Sequence, residues 1–238
     1  MKKNLDYLLI GPAYPFRGGI AETQHQLALA LQERGRKVEL LTFRNLYPKI
    51  LFPGKTQFSN EMVPEKLKVT RLMHAYNPFY WRRVLRYVES CSPKFVVFRY
   101  YTPFLAMSYG WMAKRLSEKI IRVALVDNWI PHEKNIFDND LNNFFGKQID
   151  FFTTLSEFVA KQINNKYKKP IWSGFHPINE NLLPIINQDE IRRKLNWEQS
   201  TNYVLFFGLI RKYKGLDLLI KSFSTKILKN KNLSLIHI

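Results

Sequence analysis

"FGLIRKYKGLDLL" runs from Phe207 to Leu219. It follows and overlaps the apolar segment "NYVLFFGLI" (Asn202–Ile210), which reads as a buried strand. Arg211, Lys212 and Lys214 then arrive within four positions, and Gly215 opens an apolar-periodic segment. This is the pattern of a strand, a basic loop and a helix start, where open N–H groups and the helix dipole attract an anion. Two or three cations there suit a diphosphate, whose charge must be neutralised before its ester bond can leave. No G-K-[ST] ending follows, so this is not a Walker A loop. A solvated basic turn is the competing reading of the same residues.

Outward from this stretch, strand-like and helix-like segments alternate through the chain. "LDYLLIG" (Leu5–Gly11) is a short apolar run of buried-strand length. The segment Gly18–Gly35 predicts a helix with Ile20, Leu27 and Leu31 on one stripe and Gly35 as its stop. "KVELLTF" (Lys37–Phe43) and "KLKVTRLM" (Lys66–Met73) read as strands around a Pro/Gly/Lys-bearing excursion, Arg44 to Pro64. "PFYWRRVLRYVES" (Pro78–Ser90) and "TPFLAMSYGWMAKRLSEK" (Thr102–Lys119) are helices, with strands at Lys94–Tyr100 and Ile120–Trp129. "IDFFTTLS" leads to Ser156, a predicted N-cap for the helix Glu157–Tyr167. "PIWSGFHPINENLLPI" (Pro170–Ile185) reads as a linker, followed by the short helix Asp189–Trp197. "LSLIHI" (Leu233–Ile238) is a last strand.

Repeated strand–helix–strand units imply right-handed crossovers and a parallel sheet covered on both faces. Ligands then bind beyond the carboxyl ends of the strands. The prediction is α/β: a nearly complete Rossmann-like domain over residues 1–177. Residues 178–238 then hold a linker and the first strand–helix–strand of a second Rossmann-like domain.

Composition narrows the classes. Of the 238 residues, 46% are hydrophobic and 15% aromatic, which is globular rather than disordered. The single cysteine, Cys91, excludes an internal disulfide and a thiolate-rich zinc site. The start "MKKNLDYLLIGPAYP" is too broken by Asp6 and Pro12 for a secretory core. "YYTPFLAMSYGWMA" is too short to cross a bilayer. A cytoplasmic protein is expected. The formal charge of +18 predicts attraction to polyanions, but the cations lie in scattered small groups. No RNP-like, helix-turn-helix or zinc pattern supports nucleic-acid binding.

Three further stretches carry candidate chemistry. "GPAYPFRGGIAE" (Gly11–Glu22) places Gly18 and Gly19 at a helix start, where backbone N–H groups can approach a ligand. A plain tight turn fits the same residues, and the dinucleotide fingerprint G-x-G-x-x-G is absent. "VDNWIPHEKN" presents Asp127, Asn128, His132 and Glu133 at the predicted ligand edge, where a His–Glu pair could orient a hydroxyl or share a proton. "FDNDLNNFF" holds Asp138 and Asp140 in a D-x-D spacing, read here as caps or solvated acids rather than a metal clamp. His176, in "HPINE", reads as part of an interdomain turn.

Taken in order, the glycine-pair turn, the "PHE" loop, the "HP" turn and "FFGLIRKYKGLDLLIKSF" resemble the glycosyltransferases of family 4. These are retaining GT-B enzymes built from two Rossmann-like domains. The resemblance implies transfer of a sugar from a nucleoside diphosphate sugar to a glycan or lipid-linked acceptor, with no obligatory metal and no cofactor. It implies that Gly18 and Gly19 lie near the donor phosphates, that His132 and Glu133 act at the transferred sugar, and that Arg211 and Lys214 clamp the diphosphate. Basic helices such as "YWRRVLRYVES" would let the protein dock on the inner face of the cytoplasmic membrane, or are simply solvated.

Two departures stand beside the resemblance. Leu209 occupies the family's usual arginine position directly after the strand-ending glycine. No glutamate follows Gly215, so the family's E-x7-E segment is absent. The expectation is therefore a chain cut short within its donor domain, inactive or weakly active. A non-catalytic fragment or binding module is the alternative.

Overall fold

The computed structural model describes residues 3–47, 56–59, 66–131, 133, 135–177, 185–208, 210–225 and 231–237. They fall into two compact units, Met1–Pro177 and Ile178–Ile238.

The first unit is built on strands β1 (Tyr7–Ile10), β2 (Val38–Asn45), β3 (Val69–His74), β4 (Phe95–Tyr100), β5 (Ile121–Val126), β6 (Phe151–Thr154) and β7 (Ile171–Ser173). They form one seven-stranded sheet in the order β3-β2-β1-β4-β5-β6-β7, and each neighbouring pair is parallel. The chain builds outward from β1 through β2 to β3, then returns to β4 on the other side of β1. The helices between strands are α1 (Gly19–Glu33), α2 (Pro78–Cys91), α3 (Ala106–Ala113), α4 (Asp138–Gly146) and α5 (Glu157–Asn164).

Successive residues of each strand feed opposite faces. Leu8, Ile10, Leu41, Phe43, Val96, Phe98, Ala124 and Val126 join the core beneath α2 to α5, where Tyr109, Phe145, Trp129 and Phe152 also pack. Leu9, Val38, Leu40, Val97 and Leu125 face the other side, with Ala28 of α1. Burial on both faces is why these strands read as continuous apolar runs. Helix α2 starts where the Asn77 side chain accepts the Phe79 N–H, with Pro78 at the first helical position, and it ends at Ser92 in left-handed backbone.

Several expectations need correcting. The stretch read as a linker contains β7, an edge strand too short to show a periodicity. The long predicted helix 102–119 is a 3-10 turn, Pro103–Leu105, followed by the shorter α3. Ser156 is the N-cap of α5, as expected, although among the described residues its side chain makes no capping bond. The residues α1 buries are Ala21, Gln24, His25 and Ala28, while Leu27 and Leu31 are only half-buried beside them. Part of the Arg44–Pro64 excursion lies outside the described residues.

The second unit contains α6 (Gln188–Lys194), β8 (Asn202–Phe206), α7 (Leu216–Phe223) and β9 (Leu233–His237). Strands β8 and β9 pair in parallel around α7. Within β8 only Phe206 is buried, and the strand stops four residues short of Ile210. Among the described residues β9 is its only strand partner, so its other edge is unpaired, and the strand is mostly half-buried or exposed where a buried strand was expected.

Candidate functional site

Strand β1 lies between β2 and β4, so the chain leaves the sheet in opposite directions on either side of the β1–β4 seam. In open parallel sheets this switch point creates a ligand crevice at the carboxyl ends of the strands. The turn after β1 reaches it. Gly18, at φ 112°, is the N-cap of α1, and Gly19 begins the helix; both are exposed, and none of the described residues lies within 4 Å of where a Cβ would project. The first-turn N–H groups of such a helix face outward without intrahelical partners. Glu22, in the same turn, opposes an anion there.

The turn is held from below by polar residues. The Ala13 N–H donates to Thr42 Oγ1 at 2.9 Å, and the Tyr14 N–H donates to His25 Nε2 at 2.8 Å. Burial pushes the His25 imidazolium down, which keeps the ring neutral and Nε2 free to accept. Arg99, near the end of β4 and 2% exposed, points to the α1 side. Its Nε and Nη2 donate to the two oxygens of Asp127 at 2.6 Å each, and Nη2 also reaches Thr23 Oγ1 at 3.0 Å. The guanidinium thus ties β4, the loop after β5 and α1 into one floor beneath the switch point. Gln24 lies beside it, fully buried, and among the described residues neither end of its amide has a partner. Asp127, expected to face a ligand, is instead committed to Arg99.

Beyond Asp127 the post-β5 loop is anchored by Trp129, whose carbonyl accepts from Asn142 Nδ2 at 2.7 Å while Tyr100 donates to the Asn142 Oδ1. Glu133 is exposed in this loop; His132 lies outside the described residues. Asp138 is buried, and its carboxylate accepts the Asn135 N–H at 2.7 Å at the start of α4, while Asp140 is exposed. The two do not form a clamp. Among the described residues no group of three or more His, Cys, Asp or Glu could hold a metal ion. His176 is exposed.

In the second unit, the turn after β8 carries the predicted cations. Lys212–Lys214 form a 3-10 turn, Gly215 pivots at φ 69°, and α7 begins one residue later than read. Arg211, Lys212 and Lys214 are all exposed. Gly208 sits at φ 98°, and a Cβ there would fall 2.6 Å from Lys214 Nζ. The ammonium therefore folds back across the turn toward the end of β8, donating to the Phe207 carbonyl at 3.5 Å. His237, at the end of β9, holds the Gly208 carbonyl at 2.7 Å. Leu209 is outside the described residues. In the first unit Gly18 and Gly19 share the turn after β1 while Glu133 is on the loop after β5, and in the second unit Arg211 and Lys214 share one turn. Sequence reasoning missed Arg99, Thr23, Gln24, His25 and His237; of these, only a charged residue inside "KFVVFRY" offered a signal.

No family profile matches the chain, and no curated protein matches its sequence. Solved structures do match its fold. A sucrose-phosphate synthase from Thermosynechococcus elongatus superposes with a TM-score of 0.69 at 12% identity, over 98% of this chain and 62% of that one. The S. aureus MnaA–UDP co-structure gives 0.57 at 11% identity, over 98% and 62%. A UDP-N-acetylglucosamine 2-epimerase from Rickettsia bellii gives 0.55 at 15% identity, over 98% and 68%. The chain thus spans about 62% of the length of the first two. At these identities the likeness is one of fold: a Rossmann-like α/β architecture of the GT-B kind. Among the described residues no helix is long and apolar enough to cross a membrane.

Proposed function

We propose that the chain is the acceptor-side domain and the opening strand–helix–strand of the donor domain of a family 4-type, retaining glycosyltransferase. The observation that carries this reading is the turn after β8. Gly208 leaves room for the Lys214 ammonium, and Arg211 and Lys212 flank it just before a helix start. That arrangement offers compact positive charge and open N–H groups to a diphosphate leaving group. The supporting context is a fold in which one matched structure, MnaA, is determined with UDP. The donor on this reading is a nucleoside diphosphate sugar, the acceptor a glycan or lipid-linked saccharide, and the cations replace an obligatory metal. Gly18, Gly19, His132 and Glu133 keep the roles the family resemblance assigns them. The protein works in the cytoplasm, with basic helix α2 available to an anionic membrane surface.

The test is calorimetric binding of UDP and a panel of nucleotide sugars, alongside incorporation of labelled sugar, for the chain and for Lys214→Ala. A lost charge-assisted contact is worth roughly 1.5–3 kcal/mol, so nucleotide affinity should fall about 10- to 100-fold. Equal binding by both proteins refutes the diphosphate clamp. Binding without sugar transfer in the unaltered chain favours a non-catalytic module.

A further inference from the structure

A pocket of about 540 Å³ opens at the carboxyl ends of β2 and β3, lined by Arg44, Asn45, Arg71, His74 and Tyr80. Its wall is shaped by a register break. Phe43 pairs with Met73 and Asn45 with His74, so Arg44 is the extra residue of a β-bulge. Bulges redirect side chains out of the ladder pattern, here adding a second guanidinium to that of Arg71. Both arginines are exposed, and among the described residues neither is ion-paired with a carboxylate. Arg71 is held 5.4 Å from the centroid of the Phe58 ring.

His74 is the second observation. The residue is 6% exposed, and among the described residues neither ring nitrogen has a partner. Its ring stacks on Tyr80 at 3.8 Å, and its carbonyl accepts from Trp81 Nε1 at 2.7 Å, so the imidazole is fixed in place. Burial and the Arg44 charge push its imidazolium down, leaving a neutral ring with one N–H donor. A buried donor without an acceptor costs roughly 1–3 kcal/mol, a cost that a bound ligand can remove. Two guanidinium groups around a polar cavity, with the His74 ring in its wall, are complementary to an oxyanion. The cavity also falls in the few-hundred-Å³ range of small-molecule sites.

We propose that this pocket binds the phosphate or carboxylate group of an acidic sugar. Naming the ligand as a sugar rests on the transferase reading above; the anion does not. The experiment titrates the full chain with glucose 6-phosphate, glucuronate, inorganic phosphate and glucose, by calorimetry and by 15N shifts of the His74 ring. The two acidic sugars should bind at least 10-fold more tightly than glucose and perturb the His74 nitrogens. Arg44→Gln and Arg71→Gln should each weaken them about 10-fold. Lys161→Gln, on α5 beside the opposite edge of the sheet, should not. Glucose binding as well as glucose 6-phosphate, or the arginine variants behaving like Lys161→Gln, overturns the site. Inorganic phosphate binding as tightly as glucose 6-phosphate overturns the acidic sugar as its ligand. The nucleotide titrations read residues of the other unit, so either proposal can fail alone.

Discussion

Replacing Asp127 with Asn keeps the shape of the side chain and removes its charge. The partner left behind is Arg99, 2% exposed, with both of its 2.6 Å contacts made to the lost carboxylate. Only the 3.0 Å bond to Thr23 Oγ1 is unaffected. Removing one partner of a buried pair costs about 3–5 kcal/mol, because the remaining charge is stranded away from water. The Asp127 side chain is 14% exposed, so some water reaches the pair and the lower part of that range applies. With a urea slope of about 2 kcal/mol/M, the denaturation midpoint should fall by about 1.5 M. That is a large share of the roughly 5–15 kcal/mol that holds a domain folded, so a second variant guards the test. Arg99→Met combined with Asp127→Asn removes the stranded charge, and the double variant should be more stable than Asp127→Asn alone. A midpoint shift below about 0.5 M for Asp127→Asn, or a double variant that is simply the sum of two losses, refutes the buried-pair argument.

Two further outcomes can be measured on single variants. Gly208→Ala puts a Cβ at a φ of 98°, so it should destabilise the turn by about 1–2 kcal/mol, and it displaces the Lys214 ammonium, so it should weaken UDP binding in the same direction as Lys214→Ala but less; unchanged UDP affinity would show that the folded-back position of the lysine is irrelevant. The folded-state pKa of His25 lies below the ordinary 6.5, so its contribution is complete above that value and is lost as pH falls below it toward the folded pKa. His74 acts in the same sense. His25→Gln keeps an acceptor for the Tyr14 N–H and cannot titrate, so its urea midpoint should vary less between pH 7.5 and 5.5 than that of the unaltered chain. Parallel curves would exclude His25 as the source.

The strands of the first unit were legible because a parallel sheet covered on both faces demands apolar residues at almost every position. Leu8 and Leu9 face opposite cores yet look alike in sequence. The same rule made β8 too long. Phe207 and Ile210 are apolar but exposed, and Gly208 turns the chain before they could extend the ladder. Ile171, Trp172 and Ser173 were passed over because three residues cannot show an alternation. The buried stripe of α1 was misplaced for a different reason. Small Ala21 and Ala28 allow close approach to the sheet, and Gln24 and His25 are carried inward between them, none of which resembles a hydrophobic stripe.

The sites divide along the same line. A glycine pair or a run of cations beside a glycine is a local signal, and the turns after β1 and β8 were found that way. Arg99 was visible as a charge inside an apolar run, and burying a guanidinium requires a carboxylate. Which carboxylate it takes depends on the pairing of β4 with β5, which brings Asp127 across 28 positions of sequence. Arg44, Arg71 and His74 meet only because β2 bulges against β3, and a bulge is a property of the pair of strands rather than of either one. Acids and bases at strand ends are therefore ambiguous until register is known. Asp127 shows the consequence: assigned to a ligand from its position in the loop, it is consumed by the buried arginine two strands from β2, while Arg44 and Arg71, with no carboxylate partner among the described residues, lie on β2 and β3, where no motif was read.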